Sequence, residues 1–488
     1  MKFYTNVYAS GSLIYCRETD NGTKKTNKIN FKPSLFVTAD ADTKYKSITG
    51  KPLTRMEFDD YMDYRDFIKS YEDVDGFEIH GEIGAEYQYI RNEYKDSNSY
   101  NFSQLDIAYI DIETTCESGF PNIDTANEQI IAITVVRKGS PPVVFCRGAY
   151  TPQNDEIVHE GENEKEMLED FMDYFCKDYP DILTGWNIKF FDIPYLYNRI
   201  KNLYGAKYAK KLSPWGIIKE KKITSHGKEN TTYDLVGIST LDYIQLYQTF
   251  TYVNRESYSL NHICYIELGQ KKVSYDEYDN LQDFYTNNFQ KFVEYNIQDV
   301  LLVQKLEDKL KLLELAVALA YTAGVNFNDV FSQVKTWDVI IYNYLAKKNI
   351  IIPQKKTSVK DEQYAGAYVK EPLVGMHNWV VSYDLNSLYP HLIMQYNISP
   401  ETKMETGKIS KINPIAILQK DNEVLDILED LKTQNLSIAA NGTTYSKDRR
   451  GFLPELMDKM YEERKMYKNM MTDSKKQLQE VITELKKR

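Results

Sequence analysis

The segment YIDIETT, Tyr109–Thr115, places two carboxylates, Asp111 and Glu113, two positions apart inside an apolar run of Leu105, Ile107, Ile110 and Ile112. Such a run predicts a strand, and the side-chain period of two then turns both acids to one face. Side by side in apolar surroundings they repel one another and lose solvation, a cost that a divalent cation would offset. Taken alone, the pair is more often an ordinary strand end with two solvated acids. What decides between the two readings must lie elsewhere in the chain.

At 488 residues the chain is too long for one ordinary core and calls for about three domains. Its 42% hydrophobic and 27% charged residues are those of a soluble globular protein. No apolar run approaches the ~20 residues that cross a bilayer, and the N-terminus lacks the apolar core of a signal peptide. The expected location is the cytoplasm, that of a host cell if the gene is carried by a phage, and no membrane partner is expected. Five scattered Cys without a C-x-x-C pair, and six His without a cluster, argue against structural disulfides and zinc. A net charge of −11 excludes a wholly basic coating protein but leaves room for a basic cleft. The sign reverses between Lys447 and Arg488, with twelve Lys and Arg against eight Asp and Glu.

Residues 1–103 alternate short apolar runs with polar turns and predict a small α+β domain of mostly antiparallel strands. Beyond YIDIETT, strands are expected at Gln129–Val136 and Pro142–Cys146, and a helix at Glu164–Phe175. Another short apolar run, Ile182–Thr184, precedes a second helix over Ile193–Tyr204. Strands alternating with helices give an α/β domain. Residues 218–234 carry a turn-like centre at Gly227 and read as a projecting hairpin or a loop, with the hairpin preferred. An amphipathic pattern from Phe289 to Ala323 predicts two consecutive helices, the second returning towards the N-terminal domain. Strand-like stretches recur at Ala367–Val369 and Trp379–Asp384, and Leu453–Arg488 reads as helix.

Three further side chains change the weight of Asp111 and Glu113. Asp192 sits at a helix entry in NIKFFD, where an N-cap is an equally good reading. Asp299 lies in YNIQD four residues after Tyr295, so the two share a helix face, and it opens an apolar stretch in which an unpaired acid is costly. Four such carboxylates in one α/β domain could hold two divalent metals ~4 Å apart, and the Tyr hydroxyl could orient an attacking water. YIDIETT, NIKFFD and YNIQD, in this order, resemble the three exonuclease motifs of DnaQ-like 3′–5′ exonucleases in the version found in family B DNA polymerases. The resemblance implies a ribonuclease H-like fold and removal of nucleotides from the 3′ end of single-stranded DNA. It makes Asp111, Glu113, Asp192 and Asp299 the metal ligands and Tyr295 the water-orienting residue.

YAGAYVKEP (residues 364–372) and VVSYDLNSLYP (residues 380–390) resemble two more family B signatures, the linker motif and the first palm motif. The resemblance makes Asp384 and the Leu385 carbonyl ligands of a polymerase metal. It puts backbone N–H groups near Leu388 and Tyr389 at the triphosphate, with the Tyr389 ring excluding a 2′-hydroxyl. Arg464 and Lys468, at i and i+4 of a helix, would ordinarily be a solvated basic face, but match the triphosphate-binding helix of the fingers. The implied cofactor is magnesium, two ions per site, with manganese as the alternative. The expected architecture is an N-terminal domain (1–103 with 312–354), an exonuclease domain (104–311), a partial palm (355–452) and the start of a fingers helix (453–488).

Within the family the chain most resembles the replicative polymerases of T-even-like phages. A Lys-x-x-x-Asn-Ser-x-Tyr-Gly helix and an Asp-Thr-Asp strand, which should follow, occur nowhere in the sequence, and one palm carboxylate cannot hold two ions unaided. The expectation is an N-terminal subunit of a split polymerase, completed by a C-terminal polypeptide; a truncated product or fragment is the other origin. The apolar stripe Leu478, Val481, Ile482 and Leu485 wants a partner helix. Its other expected partners are primer-template and single-stranded DNA, deoxynucleoside triphosphates, and a sliding clamp through the C-terminal polypeptide. The competing readings are a stand-alone exonuclease with a vestigial palm, and a non-catalytic nucleic-acid-binding regulator.

Overall fold

The computed structural model describes residues 1–72, 74–94, 100–117, 119–225, 228–354, 369–404, 414–419, 421–439 and 441–487. The N-terminal alternation of apolar and polar residues becomes an antiparallel sheet of β1 (Lys2–Ser10), β2 (Leu13–Asp20) and β3 (Thr23–Asn30). Asp20 pairs with Thr23, so β2 and β3 are joined by Asn21-Gly22 alone. Both have positive φ (48° and 83°), as the tight hairpin turn whose twist matches the strands requires. Next come β4 (Ser34–Thr38), β5 (Tyr45–Ser47), β6 (Pro52–Glu57), α1 (Tyr61–Tyr71), β7 (Ile79–His80) and α2 (Ala85–Glu93). The Asp60 carboxylate accepts the Met62 and Asp63 N–H groups and starts α1.

Continuous runs of β-branched residues then build a six-stranded sheet, as expected for strands covered on both faces. Its members are β8 (Ile107–Thr114), β9 (Ile130–Arg137), β10 (Pro142–Cys146), β11 (Ile157–Glu160), β12 (Ile182–Thr184) and β15 (Ser239–Thr240), in the order β11-β10-β9-β8-β12-β15. β8 runs antiparallel to β9 and parallel to β12. Between these strands lie α3 (Glu164–Lys177), α4 (Asp192–Tyr204), α5 (Ala206–Ala209), and the hairpin β13 (Ile218–Ser225) and β14 (Lys228–Leu235). The hairpin is therefore real, although Gly227 itself lies outside the described residues. After β15 the chain is helical: α6 (Tyr243–Phe250), α7 (Leu260–Leu268), α8 (Leu281–Asn287), α9 (Phe289–Leu310), α10 (Leu312–Ala323) and α11 (Gln333–Lys347). Lys311, in the left-handed conformation (φ 57°), separates α9 from α10.

The two faces of β8 go to different cores. Ile110 and Ile112 join Met167, Leu168 and Phe171 of α3 and Ile193, Leu196 and Ile200 of α4. Ile107 and Tyr109 join Val300, Leu302 and Leu306 of α9 and Leu313 and Val317 of α10. By the period of two, Asp111 and Glu113 belong to the α9 face. α10 returns to the first sheet as expected: Tyr321 packs on Tyr4 at 4.9 Å, and the Tyr4 hydroxyl donates to the Val325 carbonyl at 2.8 Å.

By contacts the chain divides into two units, Met1–Val37 with Arg55–Lys347, and Thr38–Thr54 with Lys348–Arg488. In the second unit β16 (Ile350–Ile351) runs parallel to β5. It also holds α12 (Leu388–Tyr396), β17 (Lys403–Met404), α13 (Pro414–Gln419), α14 (Asn422–Thr433), β18 (Leu436–Ile438), β19 (Thr444–Ser446) and α15 (Phe452–Lys487). The last is one helix of 36 residues. His391 of α12 meets Tyr461 of α15 edge-on at 4.7 Å. The strand expected at Trp379–Asp384 is not present. The segment pairs with no strand among the described residues, and Trp379 and Tyr383 are 100% and 91% exposed. An apolar sequence becomes a strand only when another backbone takes its hydrogen bonds. The strand expected at Ala367–Val369 falls largely, and YAGAYVKEP in its first five residues, outside the described residues. No described helix is long and apolar enough to cross a membrane.

The first unit is tied together at Arg17 of β2, which is buried. Its guanidinium donates to the carbonyls of Pro180 (2.7 Å), Gly237 (2.7 Å) and Tyr179 (2.8 Å) and pairs with Asp181 at 3.3 Å. Removing one partner of such a pair leaves an uncompensated buried charge. Arg17→Met is expected to destabilise this unit by about 3–5 kcal/mol in urea unfolding, with Arg17→Met/Asp181→Asn recovering part of the loss.

Candidate active site

Three elements deliver the carboxylates. β8 presents Asp111, opposite Thr134 of β9, and Glu113, opposite Ala132. α9 presents Tyr295, Asn296 and Asp299 on its inward side, and α4 begins with Asp192. One oxygen from each of Asp111, Glu113 and Asp299 lies within 4.8 Å of the others. Asp192 does not join that group directly. It occupies the first turn of α4, where Phe191 is the N-cap, and its Oδ1 accepts the Ile112 N–H at 3.0 Å, between the two β8 acids. The cap reading of Asp192 thus gives way to a carboxylate anchored to the strand that carries its neighbours.

The approach of α4 to β8 depends on Gly185 and Asp242. A Cβ on Gly185 would stand 2.3 Å from the Ile110 carbonyl oxygen, so only glycine lets the loop pass. Asn187 follows in the left-handed region (φ 67°). The buried Asp242 carboxylate accepts from the N–H groups of Asn187 (3.1 Å), Lys189 (2.9 Å) and Ile244 (3.1 Å), holding the turn and starting α6.

Burial raises every carboxyl of the group, and like charge adds to it at Asp111, Glu113 and Asp192. Glu113 is pushed up to about 8, by burial first and then by Asp299. Asp192 rises to about 7 through burial, partly offset by the Ile112 N–H. Asp111 is raised by burial and then by Asp192, Glu113 and Asp299. Asp299 reaches only about 6, because Lys272 opposes the effect of burial.

Lys272 carries no signal in the sequence reading, because it lies in a polar QKK stretch between α7 and α8 with no periodicity. Its Nζ pairs with Asp299 Oδ2, donates to the Tyr295 hydroxyl at 2.5 Å and lies 4.5 Å from that ring's centroid. Burial lowers its pKa, and Asp299 and Tyr295 more than reverse this, keeping the ammonium charged. Tyr295 stays protonated through burial and the charges of Asp299 and Glu113. Asn296 and Thr134 went equally unassigned: Asn296 Nδ2 donates to Asp111 Oδ2 at 2.7 Å.

The residues fit a cation. Asp299 Oδ1 is buried without a hydrogen-bond partner, facing an acid cluster with a single ammonium for a counterion among the described residues. Oxygen-only ligands of this density suit a hard divalent ion.

The residues expected at a polymerase site lie in the second unit and are open to solvent. Leu385, Leu388 and Tyr389 are 70%, 41% and 73% exposed, and Asp384, Arg464 and Lys468 are exposed as well. No hydrogen bond or ion pair joins Asp384 to Arg464 or Lys468 among the described residues. The structure brings Asp111, Glu113 and Asp299 together, with Asp192 tied to their strand, and leaves the residues expected at a polymerase site open to solvent.

Comparison with known proteins agrees in both halves of the chain. Residues 74–263 match the exonuclease domain of DNA polymerase family B, a range that holds Asp111, Glu113 and Asp192 but ends before α9. Residues 331–487 match DNA polymerase family B itself. The chain is 35% identical to the DNA-directed DNA polymerase of Escherichia phage RB69 and 32% identical to that of Enterobacteria phage T4, over 96% of its length in each case. It is 28% identical over 75% of its length to the DNA polymerase delta catalytic subunit of Schizosaccharomyces pombe. The chain spans about half the length of the curated phage relatives it matches, 54% of each. With both halves of the chain matched in order, the chain belongs to the family B DNA polymerases, with the family's exonuclease domain.

Proposed function

We propose that the chain is the N-terminal part of a replicative DNA polymerase. It carries a complete 3′–5′ proofreading exonuclease and half of a polymerase site. The observation that carries the exonuclease reading is the convergence of Asp111, Glu113 and Asp299 oxygens within 4.8 Å, with Asp192 anchored between the two strand acids. These four would hold two magnesium ions, or manganese. When bound, such ions neutralise the scissile phosphate and lower the pKa of an attacking water. Tyr295 accepts a hydrogen bond from Lys272 and keeps its own proton, so it can hold a water or phosphate oxygen beside the acids. Lys272 supplies a fixed positive charge where negative charge develops during hydrolysis.

The mixed sheet, with its central β8 antiparallel to β9 and parallel to β12, supports the ribonuclease H-like reading of this domain. The domain limits proposed from the sequence are kept: 1–103 with 312–354, 104–311, 355–452 and 453–488. In the palm and fingers segments, Asp384, Leu385, Leu388, Tyr389, Arg464 and Lys468 are the proposed ligands of a metal and a deoxynucleoside triphosphate. What supports a missing second half is exposure. Trp379, Val380 and Tyr383 of the palm segment, and Leu478, Val481 and Leu485 of α15, are all more than half exposed. A C-terminal polypeptide covering these faces would supply the second palm acid, and a sliding clamp would engage that polypeptide.

Purified chain given single-stranded DNA and magnesium is expected to shorten it from the 3′ end and to incorporate no nucleotide. Asp111→Ala should slow digestion on the order of a thousandfold, the several kcal/mol of a lost metal site. Digestion that survives the substitution would refute the assignment. Mixing with the C-terminal remainder of a related phage polymerase should restore synthesis; absence of a complex would sink the split-subunit reading.

The raised carboxyls also set a pH dependence. With folded values of about 6 to 8 against about 4 when unfolded, their contribution to stability is fully present below pH 4. It is lost as pH rises through 6 to 8. Protons leave over the same window, so cations bind better at its upper end. Magnesium should therefore raise the melting temperature more at pH 8.5 than at pH 6.0, and Asp111→Ala should abolish the difference. An equal magnesium effect at both pH values would contradict the buried-cluster account.

A further inference from the structure

Asp111 is held by more than its strand. Thr134 stands directly opposite it in the β8–β9 register, and both Thr134 and Asn296 are 0% exposed. The Thr134 hydroxyl donates to Asn296 Oδ1 at 2.5 Å, and Asn296 Nδ2 donates to Asp111 Oδ2 at 2.7 Å. A primary amide has one accepting end and one donating end. Thr134 occupies the accepting end, so the NH2 must face Asp111. One turn of α9 therefore delivers two things to the cluster: the Asp299 carboxylate, and three residues earlier the amide that fixes Asp111.

Resting on the metal-dependent reading above, we propose that Asn296, oriented by Thr134, is a positioning residue that sets how Asp111 ligates the cation. With one oxygen engaged by a neutral donor, the carboxylate cannot rotate about its terminal bond, and its other oxygen remains for the ion. The donor's neutrality is part of the function. Lys272 on Asp299 competes with a cation by its charge, whereas an amide orients Asp111 and leaves its negative charge intact. Partners of this kind behind a metal ligand change affinity by 10–100-fold when removed.

The test is binding of Mn2+ alone to the full chain, followed by the electron paramagnetic resonance of the free ion, with DNA digestion measured in parallel. Asn296→Ala should weaken Mn2+ binding about 10–100-fold. Its digestion rate should recover at high Mn2+, with KM for DNA unchanged. Thr134→Val, which removes only the hydroxyl and is expected to fold, should weaken binding about fivefold, the value of one lost hydrogen bond. The double variant should bind no more weakly than Asn296→Ala, because the two side chains act in series. Wild-type affinity in both single variants, or a loss of turnover in Asn296→Ala that no Mn2+ concentration restores, would overturn the proposal. Wild-type chain that binds Mn2+ but leaves DNA intact would instead remove the exonuclease reading and leave the role of Asn296 standing. Wild-type chain that binds no Mn2+ would end both.

Discussion

Mutual repulsion among buried carboxylates is the constraint on which the exonuclease half depends. Asp111 and Glu113 share one face of β8, Asp299 faces them from α9, and Asp192 joins through the strand backbone. Burial opposes ionisation of all four, and like charge adds to it at Asp111, Glu113 and Asp192. Every neighbouring polar group reduces that opposition locally: the Ile112 N–H for Asp192, the Asn296 amide for Asp111, the Lys272 ammonium for Asp299. Glu113, which has the least such help, is pushed furthest among those with a stated value, to about 8. The arrangement is stable enough to fold and remains short of positive charge, which is the condition for binding a divalent ion.

The scaffold meets this constraint with rigid parts. The two cores on either side of β8 fix which residues face α3 and α4 and which face α9, so Ile110 and Ile112 pin the strand while the acids look the other way. Gly185 lets the loop before α4 lie against the Ile110 carbonyl, and Asp242 holds that loop by three backbone N–H groups. Arg17 and α10 bind the N-terminal sheet to the same body. The second unit contrasts with it: its polymerase-type residues sit on open surface, where apolar side chains such as Trp379 are uncovered.

Much of the exonuclease half was legible because its elements bury one defined face. β10 was read to the residue, β9 and α3 to within two, Ile182–Thr184 was marked as an apolar run and is β12, and α9 and α10 were expected as two helices, their division now placed at Lys311. The failures have separate causes. Trp379–Asp384 has the composition of a strand and, among the described residues, no backbone that pairs with it. Lys272 lies on irregular chain, where no period marks a side chain as inward. Asp192 could not be told from a cap, since the same residue type serves both roles at a helix start.

The sequence by itself determined the order and spacing of YIDIETT, NIKFFD and YNIQD. It also determined the parity that turns Asp111 and Glu113 to one face, because strand and helix periods are properties of local backbone geometry. Only the tertiary structure decided which acids meet within ligand distance and that Asp192 is tied to Ile112. It alone brought Lys272, Asn296 and Thr134, from three different segments, around them. Hydrogen bonds and ion pairs between segments far apart in the chain follow from how sheets and helices pack, and no local period encodes that.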